Sequence, residues 1–595
     1  MQCFSRAWLS VGSGTVALAI ATGVCFGFDD ASEIHNDVQL RAMVDELTRA
    51  KTLQLNNLER TYFVSYSVGD SDELVIAGAL GGLNSSRRIQ TRNPRVQVRV
   101  GSYEFDNTNS VFSGFPKLGL LPVDDDYDAF RTSFWLATDG IYKLATGQIT
   151  RKRSALRELA DSDQLPDLAP AAKTELLLSP SKLNLDQSHW QEELRRLSGI
   201  FTQYPSVLSS GVRLLAISTN YRFVNSEGTV VRMPEDLVDL EIHSNGLAPD
   251  GSAIWNHQFV TTLQASDLPK EEQLSAAVRA VAAQTDALEK APVADEYSGP
   301  VLFEQEAAAE MMAEVMADAS RLQRKPLAPP GSNQRPVLES VWSSRTGTKV
   351  APDWLTMVDD PHQKTFGGKI LAGQYEADDE GVPASKVTLV EKGVLKGFLL
   401  SREPVKTYRA SNGHGRLPGA YGNEEAVIGN LFVQAEQTAP ESQMKAKLLT
   451  EAKAAGLPFG ILIRRLDFPS TSGLEQLQSI AREMQKNGYT RTLTPPLLAY
   501  RVYPDGHEEL IRNVRFKEFN ARNLKDILLA SDQPYVLNYL NNGSAFNFAD
   551  ASSDITSSSV VCPSLLLAGV ELDRAHDEAR RPPVVPPPAL IAQKQ

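Results

Sequence analysis

The sequence has few of the residues from which catalytic metal sites are built. Its 595 residues include 3 cysteines and 8 histidines, and no two histidines lie within ten positions of each other. A catalytic zinc ion needs three protein ligands close together, usually two of them from one helix. The sequence therefore excludes an HExxH zinc helix, and the Walker, Rossmann and nucleophile-elbow motifs are also absent.

Clustered basic residues and paired cysteines are scarce as well. The formal net charge is -13, and the basic runs 151–153 and 580–581 are too short to bind a phosphate backbone. We therefore expect no nucleic-acid partner. Cys3 and Cys25 lie in the first apolar run, so removal of that run would leave Cys562 alone, without an internal disulfide. Cys562 stands in an apolar strand-like segment and is expected to be buried.

One apolar run, residues 7–27, reaches the length that a membrane span requires. It follows Arg6 and precedes two aspartates, which is the pattern of an export signal cleaved near Gly27. An uncleaved anchor and a lipoprotein modified at Cys25 are the alternatives. We expect export to the periplasm or the extracellular space, with no stable membrane span after cleavage of the signal.

The chain is longer than a single core usually supports, which predicts two folded domains. Residues 28–295 mix helices with alternating strands, whereas residues 296–578 are mostly strands with hairpin signals. Residues 579–595 are rich in proline and predict an extended, disordered tail. The predicted fold is α+β, with a mixed helix and antiparallel-sheet N-terminal domain followed by a strand-rich C-terminal domain that begins at an acidic helix.

Local patterns predict individual elements. Apolar periodicity predicts helices over residues 35–60, 127–156, 270–289 and 441–455, and a capping box of Ser188 and Gln191 predicts the start of another. Alternating residues predict strands over 61–68, 73–80 and 88–103, and turns at 392–393 and 504–506 predict hairpins.

The acidic helix, residues 306–318, has an apolar stripe that includes Met311 and Met312. Glu310, Glu314 and Asp318 recur every four residues on its other side. The simplest interpretation is a solvated acidic face, in which case Glu314→Gln would leave folding unchanged. The alternative is a row of carboxylates that faces a cleft and holds a cation or a peptide amine.

The loop 409–416 is a candidate binding loop. Glycines on both sides of His414 let the backbone approach a ligand, and Asn412 and Arg416 supply hydrogen-bond donors. The alternative is a long hairpin connection in which a glycine adopts positive φ.

Several segments resemble the TldD/PmbA family, also called the modulator of DNA gyrase or U62 metallopeptidase family, and in particular its exported, TldD-related branch. These segments cover most of the chain after the apolar run, and they are 121–131, 135–139, 222–228, 295–303, 381–383, 386–401, 412–416, 430–432 and 563–566. The resemblance implies the α+β fold predicted above.

In the family's catalytic members the helix after the Gly-Pro-Val segment carries His-Glu-x-x-x-His. The resemblance places Ala313 and Asp318 at the histidine positions and Glu314 at the glutamate position, which makes Glu314 the one candidate catalytic residue. The family's third ligand, a cysteine in a Cys-Gly-Lys-like motif, is also missing. Zinc is the cofactor of the catalytic relatives, and we expect none here.

The resemblance therefore implies a family scaffold that has lost its zinc site. Such a protein would bind extended or unfolded peptides as a non-catalytic subunit, in a homodimer or in a heterodimer with a TldD-like subunit. Two alternatives stay open. One is an active peptidase that uses Glu314 and Asp318 with a different metal, and the other is a non-enzymatic structural protein of the cell envelope.

Overall fold

The computed structural model describes residues 30–52, 58–114, 116–158, 165–332, 337, 339–419, 421–468, 492–541 and 555–575. Seven α-helices lie in these residues: α1 Asp30–Asn36, α2 Val38–Ala50, α3 Tyr127–Glu158, α4 Gln187–Gly199, α5 Glu271–Lys290, α6 Glu306–Ala319 and α7 Met444–Ala454. The predicted signal (1–27) and the predicted tail (579–595) fall outside the described residues. Among those described, no helix is long and apolar enough to cross a membrane.

The first sheet is six-stranded in the described residues, in the order β2-β1-β4-β5-β3 with β6 beside β5. Its strands are β1 Thr61–Ala79, β2 Gly82–Val100, β3 Glu175–Leu177, β4 Ser209–Asn225, β5 Val230–Leu247 and β6 Ala253–Thr262. Alternate residues of β1, such as Tyr66 and Leu74, pack under the helices. Helices α2 and α3 cover one end of this face, and α4 and α5 cover the other.

The second sheet joins twelve strands of the described C-terminal half. Its central strand, β22, lies between β15 and β7 and also pairs with β21. The strands described in the C-terminal half, inside and outside this sheet, are β7 Tyr297–Phe303, β8 Leu355–Asp359, β9 Thr365–Phe366, β10 Lys369–Ile370, β11 Val387–Glu391, β12 Val394–Leu395, β13 Gly415–Pro418, β14 Glu424–Ala426, β15 Asn430–Ala435, β16 Thr438–Ala439, β17 Gly460–Leu466, β18 Pro496–Val502, β19 Glu508–Ile511, β20 Val514–Phe516, β21 Ile527–Asn541 and β22 Thr556–Arg574. The pairs β9–β10 and β13–β14 lie outside this sheet. The α+β prediction, with a strand-rich C-terminal half, is confirmed.

Three predicted elements differ from the observed ones. The predicted strands 61–68 and 73–80 form one continuous strand, β1, because Asp70 and Asp72 bind arginines of β2 instead of breaking the strand. The helix predicted over 35–60 is split, since Asp37 caps a new helix, α2, that ends at Ala50. Helix α4 begins after Asp186, whose carboxylate accepts from the amides of Ser188 and His189, so the predicted Ser188 cap is wrong.

Other predictions are confirmed. Helix α3 begins at Tyr127 as predicted, and α5 differs from its predicted bounds by one residue at each end. Lys392 and Gly393 both adopt positive φ at the turn between β11 and β12, which suits a tight hairpin. Cys562 is buried in β22.

Candidate functional site

Helix α6 lies inside the C-terminal half, against β22, β17 and β21. Every residue of it from Ala307 to Met316 is buried. The exposed fraction is 0% for Glu310 and 4% for Glu314, so the prediction of a solvated acidic face is wrong. These carboxylates can be buried because hydrogen-bond donors from distant parts of the chain meet them there.

The first two acidic side chains of α6 contact the last residues of β17. Glu306 pairs with Arg465 at 3.1 Å, and the Oε2 atom of Glu310 accepts from the amide of Leu466 at 2.7 Å. Burial, followed by the charge of Glu306, raises the pKa of Glu310 well above its usual value. Burial therefore favours the protonated form of Glu310.

The next two acidic side chains occupy the positions where the family resemblance places the zinc motif. Glu314 accepts hydrogen bonds from the amide of Thr494, at 3.1 Å, and from its hydroxyl. Asp318 pairs with Arg321 at 3.1 Å, and the same guanidinium binds Glu425 at 2.9 Å. Both acids therefore already have partners within the protein.

These residues do not fit a zinc ion. Ala313 has no donor atom, and zinc would have to compete with Thr494 for Glu314 and with a buried guanidinium for Asp318. Burial raises the pKa of the Cys562 thiol well above its usual value, which disfavours the thiolate form. Nowhere in the described ranges do three or more His, Cys, Asp or Glu side chains form a group that could hold a metal.

The candidate loop 409–416 is held by internal hydrogen bonds. Asn412 accepts from the amide of Leu400 at 2.8 Å and donates to the carbonyl of Phe398. His414 is fully buried, with Nε2 at 3.1 Å from Asp359 Oδ1 and Nδ1 at 3.0 Å from Asn412 Oδ1. The structure brings Asn412 and His414 together, and their role in ligand binding stays a prediction.

The remaining residues of this loop also pack internally. Gly413 adopts the positive φ that the hairpin interpretation predicts, and a Cβ there would meet the carbonyl of Pro383 at 2.2 Å. The Arg416 side chain is buried, with its guanidinium 4.3 Å from the centre of the Tyr375 ring and 3.1 Å from Glu235. The structure thus joins Asn412 to His414 within the loop, whereas Thr494 donates the hydrogen bonds described for Glu314.

Sequence reasoning missed a small crevice between the first sheet and the C-terminal half. Its cavity volume is about 20 Å³, and it lies between β1, β2 and β4 on one side and residues 379–380, 402 and 424 on the other. Arg95 pairs with Glu424 across it at 3.0 Å. Burial raises the pKa of Asp379 and of Glu380 well above their usual values. The acidic run 378–380 was the one signal of this crevice in the sequence. The rest could not be predicted, because the residues that line it are hundreds of positions apart in the chain.

Comparison with known proteins shows which families and structures this chain resembles. Residues 296–457 match the model of the PmbA/TldA metallopeptidase C-terminal domain. The chain is 28% identical over 198 residues to a metalloprotease of Methanothermobacter thermautotrophicus, which covers 33% of this chain and 40% of that protein. It is 41% identical over 80 residues to a metalloprotease of Archaeoglobus fulgidus, covering 13% and 17%. The aligned part is thus at most about two fifths of these relatives' length.

Solved structures with the same fold cover nearly the whole chain. A modulator of a DNA gyrase from Thermotoga maritima superposes with a TM-score of 0.55 at 13% identity, covering 89% of this chain and 99% of that one. TldE from Thermococcus kodakarensis superposes with a TM-score of 0.54 at 12% identity, covering 89% and 100%. The chain therefore has the fold of these two solved structures. Its residues 296–457 belong to the PmbA/TldD family as that family's C-terminal domain.

Proposed function

We propose that this chain is a non-catalytic PmbA/TldD-type protein that binds extended peptides. The observation that carries the proposal is the set of partners on α6, where Thr494 holds Glu314 and Arg321 holds Asp318. A general base must lie within reach of the water that it activates. Both hydrogen bonds described for Glu314 instead come from Thr494, inside the protein.

The second acid of the motif is equally unsuited to metal chemistry. Arg321 is buried and already balances the charges of Asp318 and Glu425. A metal ion at Asp318 would have to displace this buried guanidinium from one of its two acidic partners, at a cost of several kcal/mol. The alternative of an active peptidase with another metal at Glu314 and Asp318 therefore has no support from the donor set.

The free edge of β2 is the place that we propose for the peptide. In the part of the chain that the structure describes, no backbone hydrogen bond joins residues 82–91 to any segment other than β1. An extended peptide can add to such an edge as a further strand, with backbone hydrogen bonds that do not depend on its sequence.

Arg92 and Pro94 show which backbone N–H and C=O groups of β2 point away from β1. Pro94 has no N–H to give to β1, and the carbonyl of Arg92 accepts from the amide of Leu121, away from β1. The register between β1 and β2 runs without a shift from residue 97 to residue 85. Residues of the same parity, Arg88 and Gln90, therefore direct their backbone groups outward, whereas Ile89 directs its own toward β1.

A matched pair of proline variants tests the binding site. Gln90→Pro removes an outward N–H and should weaken binding of fluorescein-labelled casein, an unfolded protein, at least tenfold while leaving the unfolding temperature nearly unchanged. Ile89→Pro removes a bond to β1 and should lower the unfolding temperature. Equal casein affinity in Gln90→Pro and the unmodified protein would contradict peptide docking at this edge. Steady release of small casein fragments by the purified protein would contradict the non-catalytic role.

The remaining parts of the proposal concern location and partner. We propose that the protein is exported, on the basis of the apolar run 7–27, and that it presents peptides to a metal-bearing relative. N-terminal sequencing of the protein recovered from the periplasm or the medium tests export, because cleavage should expose a residue near position 28. Faster casein hydrolysis by a catalytic TldD-like protein when this chain is added would support the partner role, and an unchanged rate would contradict it.

A further inference from the structure

Five arginines lie along β2, and they differ in whether an acid of the protein already pairs with them. Four of them form ion pairs, and these pairs are Arg88–Asp72, Arg92–Asp70, Arg95–Glu424 and Arg99–Asp106. The fifth, Arg87, is exposed, and its side chain has no ion pair or hydrogen bond within the described residues. The charge of Arg87 is therefore available to a ligand.

Arg87 and Ile89 share the face of the first sheet that points away from the helices. In the register with β1, Arg87 lies across from Val75, and Ile89 lies across from Glu73. Leu74, between these two residues of β1, points the other way and packs under the helices. Val75, Glu73 and Ile89 are only half-buried, and no ion pair joins Glu73 to Arg87 among the residues that the structure describes. This part of the face is open to a ligand.

The polar groups on the opposite face of β2 are mostly paired. Gln187 and Gln191 of α4 donate to the Oγ atom of Ser86 at 3.0 and 2.8 Å. Arg88 donates two hydrogen bonds to the carboxylate of Asp72, at 2.9 and 2.6 Å. These side chains have little left to offer an incoming peptide, so the selection of a peptide falls to the open face.

Antiparallel pairing brings a peptide closest to the side chains of the open face. The outward backbone groups of Arg88 and Gln90 would exchange hydrogen bonds with such a peptide, so Arg87 and Ile89 fall at the positions that are not hydrogen-bonded to it. At these positions the Cα atoms of facing residues are only about 4.5 Å apart, and the facing side chains interact. An acid that faces Arg87 gains an ion pair, and an apolar residue that faces Ile89 gains an apolar contact.

We propose that the edge of β2 selects antiparallel peptides with the pattern apolar-x-acidic, in which the acid faces Arg87 and the apolar residue faces Ile89. The order of the pattern follows from the direction, because an antiparallel peptide passes Ile89 before it reaches Arg87. The residue x between them points to the opposite face, where the polar groups are paired and any residue is accepted. This inference rests on the peptide binding proposed above and adds the class of peptide that is bound.

Short fluorescein-labelled peptides that differ only at their centre test the pattern, with binding to the purified protein followed by fluorescence anisotropy. A peptide with Val-Thr-Asp at its centre should bind about threefold more tightly than one with Asp-Thr-Val or one with Val-Thr-Asn. The advantage over Val-Thr-Asn should shrink at high salt, because the ion pair is exposed. Equal affinity for Val-Thr-Asp and Asp-Thr-Val would overturn the antiparallel order. Equal affinity for Val-Thr-Asp and Val-Thr-Asn would overturn the recognition of an acid.

A charge exchange tests whether Arg87 makes the contact. Arg87→Glu should bind a Val-Thr-Lys peptide about threefold more tightly than Val-Thr-Asp, because like charges facing each other across two strands repel. The matched control is Arg522→Glu, which makes the same charge change at an exposed residue before β21 and should keep the preference for Val-Thr-Asp. An Arg87→Glu variant that also keeps this preference would overturn the proposal.

The Gln90→Pro variant separates a failure of this selection from a failure of peptide docking. If all the peptides bind equally well while Gln90→Pro still weakens casein binding, the apolar-x-acidic pattern is wrong and the docking site stands. If the peptides do not bind and Gln90→Pro binds casein as tightly as the unmodified protein, both the pattern and the docking site are wrong.

Discussion

The carboxylate of Glu314 accepts hydrogen bonds from both the backbone amide and the hydroxyl of Thr494, a residue 180 positions further along the chain. These two hydrogen bonds hold in place the side chain that the family resemblance identifies as the candidate catalytic residue. It also joins α6 to the segment that precedes β18, so Glu314 contributes to the packing of the C-terminal half. The side chain that sequence reasoning placed in solvent is a structural acceptor.

Replacing Glu314 should therefore change stability in a graded way. Glu314→Ala leaves the buried amide of Thr494 without an acceptor and should lower the free energy of unfolding by about 2 kcal/mol. Glu314→Gln keeps a carbonyl for that amide and should cost less than half as much. Urea unfolding followed by tryptophan fluorescence measures both. Equal stability of the unmodified protein and Glu314→Ala would contradict the observed hydrogen bonds.

Arg321 should be essential for stability because it holds two acids. Arg321→Gln leaves Asp318 and Glu425 without their partner and should lower the free energy of unfolding by about 3 kcal/mol. Adding Asp318→Asn removes one of the uncompensated charges and should recover part of the loss. A double-mutant cycle in urea gives the coupling between the two residues. Additive losses would show that the ion pair contributes nothing.

A buried acid in the first sheet predicts a fall in stability as pH rises. Burial raises the pKa of Asp239 from 3.8 to about 6. Between these values the folded protein keeps a proton that the unfolded chain has lost, so the contribution of Asp239 to stability decreases from about pH 4 to about pH 6 and then stays level. The shift corresponds to a loss on the order of 3 kcal/mol.

The variant Asp239→Asn tests this dependence. It keeps an acceptor for the hydroxyl of Thr261, which donates to Asp239 at 2.6 Å, and it cannot ionise. We expect Asp239→Asn to match the unmodified protein at pH 3.5 and to be more stable at pH 8. Urea unfolding at both pH values measures the difference. A variant that is less stable than the unmodified protein at pH 8 would contradict the raised pKa.

His414 should matter for folding, and its substitution also tests the predicted binding loop. His414→Ala removes a partner of Asp359, which is buried, and should lower the free energy of unfolding by about 2 kcal/mol. Casein affinity of the folded variant should be unchanged. His507→Ala, at the exposed turn between β18 and β19, is the control and should alter neither quantity. Lost casein affinity with unchanged stability would assign the loop to ligand binding instead.

Patterns within short segments predicted much of the fold, and contacts between distant segments account for what was missed. The apolar periodicity of α3 and α5 sufficed for both helices, since each buries one face. Helix α6 was also predictable, but its surroundings were not: the donors to Glu310 and Glu314 come from Leu466 and Thr494, more than 150 positions away. The crevice beside the first sheet was missed because its lining residues also come from distant parts of the chain.

The zinc content of the purified protein tests the central claim most directly. The chain without residues 1–27 would be incubated with excess zinc, dialysed exhaustively and analysed by plasma mass spectrometry, with Glu314→Gln and Asp318→Asn treated in parallel. The account predicts far less than one zinc ion per chain in all three proteins, because Ala313, Glu314 and Asp318 offer no free ligand set. About one tightly held zinc ion per chain, lost in either variant, would contradict it.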